Sequence, residues 1–179
     1  LMTNNSPLIL ALDSSELAAC KSMIQATRDS IAIFKLGLEF YLKNGSSGVA
    51  ELQRDFPNLR IFLDLKLHDI PNTVKGAAAS VSHLQPEILT VHASGGAEMM
   101  RQAVAELPKT KIAAVTVLTS LSDSDLESIG APTATNFVLS LAKSAVIAGV
   151  PALVASAQEL RTLREEFGSE LILITPGIR

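Results

Sequence analysis

The chain has 179 residues, of which 47% are hydrophobic and 18% charged, and its formal net charge is −3. This length is typical of one domain with a sizeable core. No apolar run approaches the ~20 residues of a membrane span, and an acidic balance argues against a nucleic-acid surface. Cys20 is the only cysteine, so neither a disulfide framework nor a cysteine metal site is expected. We therefore expect a cytoplasmic enzyme or small-molecule-binding protein that binds neither membranes nor nucleic acid.

Strand and helix patterns alternate along the whole chain. Short apolar runs with strand composition lie at 8–12, 31–36, 61–67, 88–91, 112–118, 150–154 and 171–174. Between them apolar residues recur at helical spacing, as at Leu17, Cys20 and Ile24. The longest connection, residues 121–135, is rich in Ser, Asp and Gly and predicts a surface loop holding one helical turn.

Several polar residues and glycines predict where helices begin and end. Asn72 or Thr73 is expected to cap the helix that follows the third strand, and Asn136 the helix that follows the long loop. Gly149 and Gly168 lie where a glycine commonly ends a helix.

The alternation predicts a parallel sheet covered by helices, which both a (β/α)8 barrel and an open doubly wound sheet satisfy. Polar residues fall at or just past the strand ends: Asp13, Lys35, Asp64 with Lys66, His92, Thr119, Ser156 and Arg179. A barrel gathers these ends around one mouth, whereas an open sheet spreads them along a line. We therefore predict a TIM (β/α)8 barrel with seven of its eight strands present.

The third strand carries charged residues inside an apolar run. Regular alternation would place Asp64, Lys66 and His68 on one face of this strand. Burying a charge is unfavourable unless it is paired, so two opposite charges here indicate a functional site. A structural ion pair on an edge strand is the alternative interpretation.

Two lysines and two aspartates suggest a chemistry for the predicted mouth. Lys35, Asp64, Lys66 and Asp69 can hold one another ionised because each has an opposite neighbour. A cationic lysine beside a reacting carbon stabilises a developing carbanion and donates a proton to it. A Schiff-base lysine needs a lowered pKa, which adjacent carboxylates oppose. A divalent metal on Asp64, Asp69 and His92 is the other rival, which the nearby lysines oppose.

For several other polar residues, both a structural role and a functional role are consistent with the sequence. His68 and His92 are interpreted first as hydrogen-bonded packing residues. The segment 94–96, Ser-Gly-Gly, either cradles a phosphate at a helix N-terminus or forms a simple turn. Thr119 can bind a ligand or simply favour a strand, and Arg179 lies where such barrels often bind phosphate.

The segment from Asp64 to Thr73, Asp-Leu-Lys-Leu-His-Asp-Ile-Pro-Asn-Thr, resembles the signature DxKxxDIPNT of the orotidine 5'-phosphate decarboxylase family. Segments 11–13, 34–37, 91–97, 115–120 and 175–179 are similar to the successive strand ends of that family, in order. A DxKxxD pattern alone is also found in related barrels that act on sugar phosphates. Six segments in register make the resemblance specific.

The resemblance implies a cofactor-free and metal-free carboxy-lyase that converts orotidine 5'-phosphate to UMP in de novo pyrimidine biosynthesis. Lys66 would protonate C6 of the pyrimidine as carbon dioxide leaves. The implied catalytic residues are Lys66, Asp64, Lys35 and Asp69. The implied substrate-binding residues are Asp13, Lys35, Asp64, Lys66, Asp69, Ile70, Thr73, Thr119 and Arg179.

The resemblance also implies a homodimer with shared active sites, in which Asp69 and Thr73 reach the neighbouring subunit's site. Family members continue beyond the Pro-Gly-Ile-Arg segment with a phosphate-gripping loop, an eighth strand and a last helix. Residues 1–179 are therefore expected to form a single, C-terminally incomplete barrel domain. Two alternatives remain open: a metal-dependent sugar-phosphate decarboxylase or aldolase of the same superfamily, and a catalytically inactive barrel that binds a phosphorylated ligand.

Overall fold

The computed structural model describes residues 6–178, in which strands and helices alternate. The strands are β1 (Ile9–Ala11), β2 (Ile33–Gly37), β3 (Ile61–Leu67), β4 (Ile88–His92), β5 (Lys111–Val115), β6 (Ala152–Val154) and β7 (Ile172–Ile174). The α-helices are α1 (Leu17–Thr27), α2 (Leu38–Asp55), α3 (Pro71–Val81), α4 (Ala97–Glu106), α5 (Asp123–Ser128), α6 (Ala134–Ile147) and α7 (Leu160–Phe167). Each strand neighbours the next one along the chain, in the order β1 to β7.

The described chain divides into two compact units. The first comprises residues 6–65 and 80–89, and the second comprises residues 66–79 and 90–178. The boundary falls within β3, between Leu65 and Lys66, and within β4, between Leu89 and Thr90.

In the first unit β1, β2 and β3 pair in parallel, with Ile9 opposite Ile33 and Phe34 opposite Ile61. Consecutive residues of β3 are buried, as in Ile61, Phe62 and Leu63, so apolar side chains occupy both faces of the strand. That is the pattern of parallel strands covered by helices. The core of this unit is completed by Cys20, Ile24, Phe40, Val49 and Leu52 from α1 and α2.

In the second unit β5, β6 and β7 pair in parallel, with Ala113 opposite Ala152 and Ala152 opposite Ile172. The alanines of β5 and β6 are fully buried, which lets large side chains from the helices pack close to the sheet. These side chains include Met99 and Met100 of α4, together with Val138 and Leu141 of α6.

Two predicted helix caps are wrong. Helix α3 begins at Pro71, so Asn72 and Thr73 lie inside its first turn. Proline suits the first helical position because the N–H that it lacks has no partner within the helix. Helix α6 begins at Ala134 with Thr133 as its N-cap, which places Asn136 within the first turn.

The fifth strand is shorter than predicted, because it ends at Val115 rather than at residue 118. Thr116 still bonds to the neighbouring strand, since its backbone N–H and its hydroxyl both donate to the Val154 carbonyl, at 3.1 and 3.0 Å. The chain then turns, with the Leu121 N–H donating to the Leu118 carbonyl. The strand composition of this segment therefore continues beyond its regular pairing.

The predicted helical turn in the long loop is confirmed as α5, whose N-cap Ser122 forms a reciprocal capping box with Asp125. The predicted helix ends are also confirmed, since Gly149 and Gly168 follow α6 and α7 with φ of 79° and 71°. Within residues 6–178, the helices are too short or too polar to cross a membrane.

Candidate active site

In the first unit the ammonium of Lys35 lies near two carboxylates. Lys35 Nζ is 3.5 Å from Asp64 Oδ2 and 3.9 Å from Asp13 Oδ1. The side chains of Lys35 and Asp64 are 25% and 13% exposed to solvent, whereas that of Asp13 is 83% exposed. The lysine and the inner aspartate thus form a half-buried ion pair with a more exposed carboxylate at its outer edge.

The strand register explains this arrangement. Lys35 on β2 is opposite Ala11 on β1, and Asp13 follows two residues later. On the other side of β2, Gly37 is opposite Asp64 of β3. Lys35 and Asp64 therefore lie in the middle of β2 and β3, and only Asp13 lies past the end of its strand, β1. The prediction that Lys35 and Asp64 lie at strand ends is wrong, because both strands continue beyond these residues.

In the second unit Lys66 has an unusual backbone conformation. Although it lies within β3, its φ is +48°, in the left-handed region that L-residues with long side chains rarely adopt. The regular alternation assumed for Asp64, Lys66 and His68 therefore does not hold at Lys66, and a shared face does not follow from their spacing. Such a conformation costs on the order of 1–3 kcal/mol and is often found at functional sites.

The backbone N–H of Lys66 donates a hydrogen bond to a residue that was not predicted from the sequence. The Lys66 backbone N–H donates to Oγ1 of Thr90 at 2.9 Å, and Thr90, on β4, is fully buried. The sequence does contain an indication, because Thr90 is the one polar residue in the apolar run Ile-Leu-Thr-Val at residues 88–91. A hydroxyl buried in a strand is expected to have a hydrogen-bond partner.

Beyond β3, the predicted Asp69, Ile70 and Thr73 are all exposed at the start of α3. Asp69 Oδ1 accepts the backbone N–H of Ile70 at 2.7 Å, and the Ile70 carbonyl accepts the Thr73 N–H at 3.0 Å. Ile70 keeps 66% of its surface exposed, which is high for a large apolar side chain.

The two predicted histidines of this unit lie next to each other. The ring centroids of His68 and His92 are 5.3 Å apart and the rings are tilted by 42°. Residues Ala93–Gly95 form a 3-10 turn, and Gly96, with φ of 89°, caps α4. A β-carbon at Gly95 would clash with Met99 Sδ and would lie 3.1 Å from His68 Cδ2. The tight turn is therefore a confirmed feature of the Ser-Gly-Gly segment.

Two predicted site residues remain, Thr119 and Arg179. Thr119 is exposed in the turn between β5 and α5. Arg179 lies outside the described residues. Across residues 6–178 there is no group of three or more His, Cys, Asp or Glu side chains arranged to hold a metal ion.

These features define a parallel β/α protein with lysines and aspartates on its strands and just beyond them. The model of the orotidine 5'-phosphate decarboxylase / HUMPS family matches residues 6–179. The chain belongs to this family, which confirms the resemblance seen in its sequence motifs.

Curated relatives agree with this assignment. The chain is 47% identical over 175 residues to an orotidine 5'-phosphate decarboxylase of Thermobifida fusca, and the match covers 97% of this chain and 75% of that protein. It is 43% identical over 177 residues to a protein of the same name from a Wolbachia pipientis strain, covering 97% of this chain and 77% of that protein.

The fold is likewise similar to a solved structure. The crystal structure of orotidine 5'-phosphate decarboxylase from Lactobacillus acidophilus has a TM-score of 0.89 and 34% sequence identity, covering 98% of this chain and 82% of that chain. The predicted fold class, a TIM-type β/α fold of which seven strands are present, is therefore confirmed.

Proposed function

We propose that this chain decarboxylates orotidine 5'-phosphate to UMP, with Lys66 as the proton donor and without a cofactor. The family match and the names of its relatives support the reaction. The observation that carries the proposal is the full Asp-x-Lys-x-x-Asp-Ile-Pro-Asn-Thr motif, which spans the end of β3 and the start of α3.

In this reaction the bond between C6 of the pyrimidine and its carboxylate breaks, and the electron pair stays on C6 as carbon dioxide leaves. The ammonium of Lys66 stabilises the developing negative charge and transfers a proton to C6. Because the cation is a lysine, the step requires no Lewis acid. The strained backbone of Lys66 supports this role, because strain is retained where the surrounding structure holds a functional residue in place.

Lys35 and Asp64 complete the catalytic charges in this proposal. They form a half-buried ion pair, and Asp64 is two residues before Lys66 in the chain. Lys35 also binds the ribose together with Asp13, whose carboxylate is exposed and 3.9 Å from the same ammonium. Among the other proposed contacts, Ile70 and Thr119 bind the nucleotide and Arg179 binds the phosphate.

We further propose a cytoplasmic homodimer with shared active sites, in which Asp69 and Thr73 reach the partner's substrate. The exposure of both residues beside the apolar side chain of Ile70 supports this proposal.

The test is a decarboxylation assay in which the purified protein converts orotidine 5'-phosphate to UMP, with and without EDTA. We expect turnover in both conditions. Turnover that EDTA abolishes would instead favour a metal-dependent decarboxylase or aldolase. A protein that binds UMP but shows no turnover would be an inactive ligand-binding relative.

A further inference from the structure

The backbone of Lys66 differs from the other left-handed positions of the chain. Among residues 6–178, three residues other than glycine have a positive φ: Asn58, Lys66 and Gln85. Asn58 lies in the turn after α2, and Gln85 ends a 3-10 turn, where left-handed residues are common. Lys66 alone of these three lies within a strand.

Lysine has no local way to offset this strain. Asparagine tolerates the left-handed region because its short amide bonds to the nearby backbone, whereas a lysine side chain is too long for this. The conformation therefore has to be maintained by groups around it. The Lys66 backbone N–H donates a hydrogen bond to the hydroxyl oxygen of Thr90, and the two atoms are 2.9 Å apart.

Thr90 is well placed to hold this backbone. It lies in the middle of β4 and is fully buried, so water does not compete for its hydroxyl. A buried N–H without an acceptor costs about 1–3 kcal/mol, which opposes any backbone rotation that would break this bond. Since φ and ψ of Lys66 set the direction of its Cα–Cβ bond, the bond also restricts where the ammonium points.

We infer that Thr90 is a positioning residue for the reaction: its hydroxyl holds Lys66 in the left-handed conformation and so places the proton donor. This inference rests on the proposed role of Lys66. Thr90 itself transfers no proton to the substrate and is not a catalytic residue. A misplacement of a reacting group by about 1 Å can reduce the rate 10²-fold, so one hydrogen bond to the backbone is enough to matter.

The decisive variants are Thr90→Val, which keeps the shape and removes the hydroxyl, and Thr90→Ser, which keeps the hydroxyl. Thr116→Val is the matched control, because Thr116 is also buried and its hydroxyl also bonds, to the Val154 carbonyl of the same unit. We expect Thr90→Val to lower kcat by about tenfold or more with KM nearly unchanged, because orientation rather than binding is lost. Thr90→Ser should recover most of this loss, and Thr116→Val should leave kcat unchanged.

A measurement that does not depend on turnover separates this inference from the proposed function. In NMR spectra of the wild type, the Lys66 amide should exchange slowly and show the strong intraresidue HN–Hα NOE of a positive φ. In Thr90→Val the exchange should be faster by about tenfold or more, because the amide has lost its acceptor, whereas Thr116→Val should not change it.

The outcomes are distinguishable. A wild type that lacks decarboxylase activity but shows the NMR pattern would overturn the proposed function while supporting the Thr90 contact. An unchanged Lys66 amide and unchanged kcat in a folded Thr90→Val protein would overturn the inference. A loss of kcat that Thr90→Ser does not recover would also contradict it.

Discussion

Lys35 and Asp64 form a half-buried ion pair, with 3.5 Å between Nζ and Oδ2. Removing the lysine leaves the aspartate charge partly desolvated and without this partner. We expect Lys35→Met to lower kcat/KM about 10²-fold or more and to reduce the free energy of unfolding by about 1–3 kcal/mol, between values for exposed and buried pairs.

The control for this variant is Lys43→Met, because Lys43 forms an exposed ion pair with Glu16 in the same unit. It should change neither activity nor urea-induced unfolding appreciably. In a double-mutant cycle, Asp64→Asn should reduce the stability cost of Lys35→Met, since the carboxylate that the lysine contacts is no longer charged. Additive costs would show that the two residues do not interact energetically.

Lys66→Ala should reduce kcat by several orders of magnitude and leave the fold intact. Alanine removes both the cation and the proton source, and the loss of either role alone typically costs 10²-fold or more. Lys75→Ala is the matched control, since Lys75 is an exposed lysine on α3. Single-turnover kinetics would measure the effect, and a Lys66→Ala protein with a tenth of the wild-type rate would refute the assignment.

The proposed dimer predicts complementation between two inactive variants. Lys66→Ala and Asp69→Asn proteins should each be nearly inactive alone. After subunit exchange, a heterodimer would contain one site with both residues intact, so activity should return to about a quarter of the wild-type value in an equal, randomly exchanged mixture. If mass spectrometry proves exchange and activity stays absent, the site is formed within one chain.

Gly95 and Gly96 should resist substitution for different reasons. At Gly95 a β-carbon clashes with the flexible side chain of Met99, so the cost of Gly95→Ala should fall when Met99→Ala is added. At Gly96 the space is open, but φ of 89° and ψ of 163° are almost restricted to glycine. Gly96→Ala should therefore cost about 1–3 kcal/mol of unfolding free energy, and Met99→Ala should not relieve it. Equal relief at both positions in denaturant unfolding would contradict this distinction.

An ion-pair network between α1 and α2 predicts a pH dependence of stability. The hydrogen bond from Lys21, at 2.6 Å, holds the pKa of Asp55 below its usual value. The ion pair of Asp55 with Lys21 therefore stabilises the fold above the unfolded-state pKa of Asp55, about 4. This stabilisation is lost as the pH falls through the lower pKa of the folded state. The stability difference between wild type and Asp55→Asn should narrow on acidification below about pH 4. Glu127→Gln, at an exposed position of α5, controls for loss of charge alone.

The helices and strands were predicted well from the sequence, because the residues that an element buries are apolar and recur at a regular spacing. Leu17, Cys20 and Ile24 predicted α1 at its observed position, since a helix must turn one apolar face to the core. Caps were predicted less well, because several polar residues near a boundary can serve. Thr133, not Asn136, occupies the N-cap position of α6, and the Ala134 N–H donates to Asp123 Oδ1 at 2.9 Å.

The backbone of Lys66 could not be predicted from the sequence. Nothing in the run Leu-Lys-Leu at residues 65–67 indicates a left-handed residue, since this conformation depends on an acceptor 24 residues further along the chain. The motif predicted which residues form the site but not how Lys66 is held, because local propensity contains no information about tertiary hydrogen bonds.

The sequential order of the strands also has a consequence for synthesis on the ribosome. Ile9 pairs with Ile33 and Phe34 with Ile61, so each pairing closes a loop of only a few tens of residues. The chain emerges N-terminus first, and β1 and β2 are available to pair before the chemistry-bearing end of β3 has been translated. The lysine proposed for catalysis is therefore translated only after β1 and β2 are complete.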